Sequence, residues 1–569
     1  MNDPYQMPKR KRIPYGMMNF VDVREDNCYF VDKTRFIPAL EAANKFFFFI
    51  RPRRFGKSLT ISMLHHYYDV LDKAHFEKWY GDLYIGHHPT PERNSYLVIY
   101  LNFAEVLAGI DDYRSSLDAY CDIKLVDFCR RYAALLPVGV LDELREKEGV
   151  VEQLSYLCTR CAEAGQQIYL FMDEYDHLHG TGYLRSFFDV VKTGTYSAIK
   201  RVFVTGVSPV TMDELTRGFN IGTNYSLSPE FNELVGFTEE NVRAMLDYYA
   251  TTCEFHHTTD ELIDIMKPWY DNYCFAEESY GRTTMYNSNM VLYFVDNYIR
   301  SGGEIPRRML EENIRIDYSK LRMLIRKDKE FAHDASIIQT IVQQGYITGE
   351  LKTGFPAEQI GSPDNFISLL YYFGMLTIDG TYRGKTKLSI PNQVVREQMY
   401  NYLLEAYREN DLRYDSYKIG NLESDLAYDG NWKEYFGYIA DCIKTFSSQR
   451  DKQKGEYYVH GFTLALTSQN MYYRPVSELD NQEGYADIFL LPLLDAYVDM
   501  QHSYIIELKY AKSSDSAERV EELRQKGVAQ ANRYAATEMV KRYIGHTQLH
   551  KLVVVFHGVD MAVCEEIGN

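Results

Sequence analysis

Residues 46–58 read FFFFIRPRRFGKS. Five apolar residues, most of them aromatic, predict a buried strand. A loop follows, and then SLTISMLHHYYDVL (58–71) places Leu59, Met63, Leu64 and Tyr67 at helical spacing. Strand, Gly-Lys-Ser, helix is the setting of a phosphate-binding loop. Backbone N–H groups at the helix start wrap the phosphates, Lys57 reaches the terminal ones, and the Ser58 hydroxyl ligates Mg²⁺. Gly56, Lys57 and Ser58 are therefore the candidate nucleotide-binding residues, with Arg53 and Arg54 beside them. The general pattern GxxxxGK(S/T) has glycine where this chain has Arg51, and Pro52 follows it.

Such a loop needs a second buried strand that ends in a carboxylate beside the magnesium. IYLFMDEYD (168–176) supplies it: Asp173 fits the metal position, and Glu174 can polarise the attacking water as general base. A further strand, YLVIYLNF (96–103), lies between the two. RVFVTGVSP (201–209) is another strand with a polar end, and in ring-type ATPases that position senses the γ-phosphate. Thr205 is the candidate there and Ser208 the alternative. For the arginine that a ring neighbour would supply, Arg217 is one candidate, while Arg53 and Arg54 lie nearer the phosphates.

Composition bounds the remaining classes. A chain of 569 residues suggests about four folding units, though three are compatible. Hydrophobic residues at 46% and charged ones at 25% exclude wholesale disorder and fibrous classes. A net charge of −18 argues against coating DNA by bulk charge but permits a local basic groove. The N-terminus lacks the apolar stretch of a secretory signal, and the FFFFI run is too short to span a bilayer. The nine cysteines are scattered. Cys158 and Cys161 form a single CxxC with no second pair, and the His-His pairs at 65–66, 87–88 and 256–257 lack metal spacing. The expectation is a reduced, soluble, cytoplasmic protein without a membrane partner. Lys9 to Arg12 is expected to be a solvated basic arm.

From 237 to 450 the pattern is mostly helical. Thr238 is an expected N-cap for EENVRAMLDYYA, with acids in the first turn. YDNYCF (270–275) and YNSNMVLYFVDNYI (286–299) are expected to serve lid and packing roles. In 364–392 a helix precedes short strands, with turns expected at Asp379-Gly380 and Gly384-Lys385. A helix followed by a hairpin suggests a winged-helix element with Arg383, Lys385 and Lys387 on or near its wing.

The last 120 residues read helix (456–467), three strands (MYYRPVSEL, YADIFLLPL, SYIIELKYA), helix (518–535), strand (LHKLVVVFHG). On a strand, residues i and i+2 face one side, so Glu507 and Lys509 project together while Leu508 points into the core. Asp487 begins the neighbouring strand and can meet them. Two carboxylates at adjacent strand ends suit a hard divalent cation, Mg²⁺ or Mn²⁺. The metal generates hydroxide, and Lys509 orients the water or stabilises the transition state.

The phrases IPYGMMNF (13–20), YFVDKTRFI (29–37), RPRRFGKS (51–58), FMDEYDHL (171–178), VTGVSP (204–209) and ELVGFTEENV (233–242) resemble bacterial AAA-ATPase-like proteins with a C-terminal PD-(D/E)XK nuclease domain. The αβββαβ order also resembles that nuclease superfamily. The resemblance implies that Glu456 adds an acid to the metal site. It also implies that Gln530 and Tyr534 are the superfamily's Gln-xxx-Tyr pair, with Gln530 close to the active site. Glu478 is a weaker acidic candidate. The implied fold class is a multidomain α/β protein: an AAA-like P-loop NTPase domain (1–236), a helical, winged-helix-like region (237–450) and a nuclease core (451–569). The implied function is ATP·Mg²⁺ binding and hydrolysis joined to metal-dependent cleavage of nucleic acid, DNA being the expected partner, with homo-oligomers compatible. The alternative is an ATP-dependent switch or DNA-binding regulator whose nuclease fold does not cut.

Overall fold

The FFFFI stretch is strand β1 (Phe46–Ile50), and the next helix, α1 (Lys57–Tyr68), starts at the lysine of the loop. The computed structural model describes residues 10–106, 113–177, 181–210, 222–306, 308–310, 337–356, 359–409, 414–446, 455–467, 470, 472–477, 488–494 and 496–568. The chain divides into two units, one from residues 1–304 and 348–392, the other from 305–347 and 393–569. The cut runs through the stretch read above as one middle region.

In the first unit β2 (Leu97–Asn102), β3 (Ile168–Asp173), β4 (Ile199–Gly206) and β5 (Thr223–Asn224) join β1 in a sheet ordered β2-β3-β4-β1-β5. Every pairing is parallel. A parallel sheet is covered on both faces, which is why its strands are nearly unbroken apolar runs. Phe47 to Ile50 are buried and β3 is buried throughout. Phe47 stacks on Phe203 and Tyr225 and meets the edge of Phe231. Ile50 lies beside Gly206, and Asn102 beside Asp173, so the carboxyl ends of β1 to β4 share one edge. Ligands of open parallel sheets bind at that edge.

Helix α2 (Glu239–Ala250) opens with a capping box. Thr238 is its N-cap as expected, but its reciprocal partner is Asn241 rather than a glutamate. Helix α3 (Ser288–Arg300) is capped by Asn287. Helix α4 (Pro363–Tyr372) leads into the hairpin of β6 (Thr377–Tyr382) and β7 (Lys385–Ser389). The hairpin turns at Arg383 and Gly384, with φ of 50° and 77°. The turn expected at Asp379-Gly380 is instead an irregularity inside β6, where the pairing shifts between Ile378 and Thr381. Lys387 is tied to Asp379 at 2.8 Å. The helix and hairpin pack within this unit: Tyr371 donates to the Phe275 carbonyl, and the Cys274 N–H donates to Thr377 Oγ1.

The basic N-terminal stretch differs from expectation in its backbone alone, since the side chains of Arg10 and Arg12 are exposed as expected. Lys9 lies outside the described residues, but residues 10–12 are docked. Arg12 bridges to the backbone around Cys28, the Lys11 N–H donates to the Tyr248 hydroxyl, and Tyr249 donates to the Lys11 carbonyl. Backbone pairing and a ring cluster fix the main chain and leave the charged ends of Arg10 and Arg12 in solvent.

In the second unit α5 (Gly455–Thr467) precedes β8 (Tyr473–Ser477), β9 (Ile488–Pro492) and β10 (His502–Ala511). Helix α6 (Ala517–Ala535) and the short α7 (Glu538–Tyr543) follow, then β11 (Gln548–His557) and β12 (Asp560–Glu566). The sheet order is β12-β11-β10-β9-β8, parallel only between β10 and β11, the pair joined through α6. The expected αβββαβ order is present, with β12 added at the edge. Among the described residues no helix is long and apolar enough to cross a membrane.

Candidate functional site

Arg51, at the position where the general phosphate loop has glycine, is buried. Its guanidinium donates to the carbonyls of Ile50, Ser226 and Phe231 at 2.9, 2.6 and 3.1 Å. It lies between the rings of Phe49 and Phe275, 4.2 and 4.3 Å from their centroids. Burial lowers its pKa to about 10, so it stays charged at neutral pH. This arginine is a pin that ties the loop to segments about 175 residues away.

The rest of the loop is held similarly. Phe55 is buried, edge-on to Tyr273 and Phe275, and its carbonyl accepts from the Gly236 N–H. A Cβ at Gly236, where φ is +80°, would come 2.8 Å from the Phe55 ring. The Arg53 carbonyl accepts from Asn287, and the Arg54 carbonyl from Ser288 Oγ and the Asn289 N–H. Arg54 Nη1 reaches Asn289 Oδ1 at 3.3 Å. The start of α3 thus grips the loop, which gives the 286–289 phrase a physical role.

Gly56 caps α1 with φ of 93°. Lys57 is 6% exposed and donates to the carbonyls of Arg51 and Pro52, both at 3.0 Å. Burial lowers its pKa, opposed by Glu174 and Asp173. Ser58 Oγ donates to Asp173 Oδ2 at 2.7 Å. Asp173 is fully buried; burial raises its carboxyl above the usual range, opposed first by the Ser58 bond. That hydroxyl–carboxylate pair, beside the amides at the start of α1, fits Mg²⁺ and the phosphates of a nucleotide.

Glu174 follows in a left-handed conformation, φ 52°, its N–H bonded to Asp173 Oδ1. Its Oε2 is buried and accepts no hydrogen bond among the described residues, with His177 Nε2 3.7 Å away. A strained residue with an unspent acceptor suits a water-binding base. Thr205 is fully buried, and its hydroxyl donates to the Phe49 carbonyl across the sheet. Ser208 Oγ accepts from the Val210 N–H at 3.2 Å. Arg217 lies outside the described residues.

Sequence reading missed two residues here. Tyr100 places its hydroxyl 3.5 Å from Asp173 Oδ2; alternation along β2 was its only signal. At Gly206 a Cβ would stand 2.5 Å from Asp176 Oδ1 and 2.6 Å from the Tyr175 ring. Only glycine lets the turn after Asp173 close onto β4, where Asp176 accepts from the Val207 N–H.

In the second unit Glu507 is fully buried and Lys509 is 9% exposed. They point to the same side of β10, with Lys509 Nζ 2.5 Å from Glu507 Oε2. Oε1 has no hydrogen-bond partner among the described residues. Helix α6 crosses this face through Gly527, where a Cβ would be 2.9 Å from Val553 Cγ1 and 3.6 Å from the Glu507 Cβ. Tyr534 packs in the core with Phe489, Ile505 and Ala531. Gln530, one turn before it, is half-buried. Asp487 lies outside the described residues; the next residue, Ile488, starts β9 opposite Ile506. Glu478 is outside them too. Glu456 is in the first turn of α5. A buried carboxylate with an unspent oxygen and an adjacent ammonium fits a hard divalent cation and a phosphodiester.

Cys158 and Cys161 are buried in the helix Gly149–Glu163, and burial pushes the Cys158 thiol up to about 12. His65 and His66 face Asp69 and Asp72. No three His, Cys, Asp or Glu side chains cluster as a metal site among the described residues.

Residues 14–216 match the family model described as predicted AAA-ATPase, and residues 454–566 match a PD-(D/E)XK nuclease superfamily model. An uncharacterised protein from the vnfD 5′ region of Azotobacter chroococcum mcd 1 is 24% identical over 308 residues, which are 48% of this chain and 50% of the relative. The chain thus spans about half the length of the curated relative it matches. Among solved structures, Cdc6p from Pyrobaculum aerophilum is 13% identical, with 70% of this chain and 97% of that chain covered and a TM-score of 0.28. A signal-transduction ATPase with a tetratricopeptide-repeat sensor from Pyrococcus horikoshii is 11% identical, with 83% and 60% covered and a TM-score of 0.24.

Proposed function

Because the chain joins an AAA-ATPase-like domain to a PD-(D/E)XK nuclease superfamily domain, we propose that it binds and hydrolyses ATP at one site and cleaves DNA phosphodiesters at another. The observation that carries the reading is the fully buried Glu507 with Lys509 at 2.5 Å, a charged pair with no evident packing purpose.

At the nucleotide site Lys57 exchanges its loop carbonyls for the terminal phosphates. Ser58 and Asp173 would hold Mg²⁺, which would neutralise charge on the phosphates. Glu174 binds the attacking water and takes its proton. Arg53 and Arg54 stand on the loop within reach of phosphate charge. Thr205, through Phe49, positions the end of β1. At the nuclease site Asp487 and Glu507, with Glu456, would hold a divalent cation, which would lower the pKa of water and screen the scissile phosphate. Lys509 orients the water, and Gln530 lies beside it. The water oxygen bonds to phosphorus as the bond to the leaving sugar oxygen breaks, and that oxygen takes up a proton. The protein acts inside the cell without a membrane partner, and an ATPase of this class is compatible with homo-oligomers.

The test is cleavage of labelled duplex DNA, single-stranded DNA and RNA with Mg²⁺ or Mn²⁺. The parent cuts duplex DNA only with metal, and Glu507→Ala does not cut. A parent that binds but cuts none of the three substrates supports an ATP-dependent switch instead.

A further inference from the structure

Helix α6 presents three separable faces. Gly527, Ala531 and Tyr534 are buried against the sheet. One flank is tied to the outer strands: Arg524 pairs with Glu565 of β12 at 2.6 Å, and Asn532 accepts from Lys551 of β11 at 2.9 Å. The other flank carries Lys526, Gln530 and Arg533 at i, i+4 and i+7, one row on a helix. Since the first flank faces β11 and β12, this one lies toward β9, whose Phe489 and Leu491 pack with Ala531 and Tyr534 of the helix.

The charge of that row is unusual for this chain. Residues 523–537 read LRQKGVAQANRYAAT, with no Asp or Glu, in a protein of net charge −18. Arg524 is taken up by Glu521 and Glu565. Lys526 and Arg533 are exposed, and neither makes an ion pair among the described residues. Seven residues of helix separate them by about 10 Å, about three base-pair rises along a strand. Two exposed cations at that spacing, bracketing Gln530 on the helix whose Gly527 lies over Glu507, match a nucleic acid backbone and no apolar partner.

We propose that Lys526 and Arg533 form a phosphate-binding stripe that seats the backbone of duplex DNA against the Glu507–Lys509 site. The proposal rests on the nuclease reading of this unit. The stripe contributes binding and placement, and leaves the bond-breaking step to Glu507 and Lys509.

The experiment is fluorescence anisotropy of a short labelled duplex with the full-length protein, Ca²⁺ replacing Mg²⁺, over a range of salt. The forms compared are the parent, Lys526→Ala/Arg533→Ala, the charge-retaining Lys526→Arg/Arg533→Lys, and Lys418→Ala on an exposed site elsewhere. The double alanine variant should bind about tenfold more weakly and lose about 2 from the log–log salt slope. The charge-retaining variant and Lys418→Ala should bind like the parent. In cleavage with Mg²⁺ the double variant should raise KM and leave kcat within about twofold. A parent that binds duplex while the double variant matches it in Kd and salt slope overturns the stripe alone. A loss by the charge-retaining variant equal to that of the alanines also overturns it, since charge would not be what matters. A parent that binds no nucleic acid sinks the nuclease reading and the stripe together. An effect on RNA but none on duplex overturns the assignment to DNA.

Discussion

Arg51 is the residue where the chain departs from the general phosphate loop. Its three carbonyl partners and two rings explain the departure. A glycine there would leave the carbonyls of Ile50, Ser226 and Phe231 without their donor and open the space between Phe49 and Phe275. Arg51→Gly should therefore cost about 3 kcal/mol and weaken nucleotide binding, seen as a lowered melting temperature and ATP affinity. Unchanged melting would show that the pin holds nothing. Lys33 is a second buried cation, 7% exposed, donating to Asn241 Oδ1 at 3.1 Å. Burial lowers its pKa to about 7, below its ordinary value. Between that value and the unfolded lysine's value near 10.4, the unfolded chain binds more protons, so this group's penalty is full below pH 7 and fades as pH rises. Lys33→Met should stabilise by on the order of 2 kcal/mol at pH 6 and by less at pH 9, read by denaturant unfolding. An equal effect at both pH values would show that Lys33 does not titrate in this range. The sequence made Lys57, Ser58 and Asp173 legible because their spacing sits on local strand and helix patterns. It hid the work of Arg51 because every distant partner is a backbone carbonyl or a ring, which leaves no mark in the residue itself.

At the scale of elements, strands and helices with strong periodicity were readable and their junctions were not. The parallel strands announced themselves as apolar runs, while β12 followed Gly558 with no distinctive pattern. Asp379-Gly380 has turn composition, yet Arg383-Gly384 makes the turn and Gly380 accommodates a bulge beside Tyr280. The docked backbone of residues 10–12 was hidden because charge is visible in a sequence and backbone bridges are not. Gly527 is the clearest such junction. It lets α6 approach β10 and β11 over Glu507, a role invisible beside the Gln-xxx-Tyr pattern. Gly527→Val should force the helix outward, cost about 1–3 kcal/mol and reduce cleavage. Circular dichroism melts and a cleavage assay check it, and a variant with parental melting and cutting would show that the close approach is not needed.

Across the whole molecule the two proposed chemistries fall in two units, each with its own sheet and its own buried acid. The order of the two modules was legible because each carries a local signature, the Gly-Lys-Ser loop in one and Glu-x-Lys in the other. The unit boundaries were not, since residues 348–392 return to the first unit after the chain has entered the second. The measurement that tests the central claim most directly is phosphate release from ATP and metal-dependent duplex cleavage, assayed side by side in Lys57→Ala and Glu507→Ala. The account predicts that Lys57→Ala loses at least tenfold in ATP turnover, and that Glu507→Ala abolishes cleavage while turning over ATP like the parent. Cleavage by Glu507→Ala at the parental rate, or parental ATP turnover by Lys57→Ala, would contradict it.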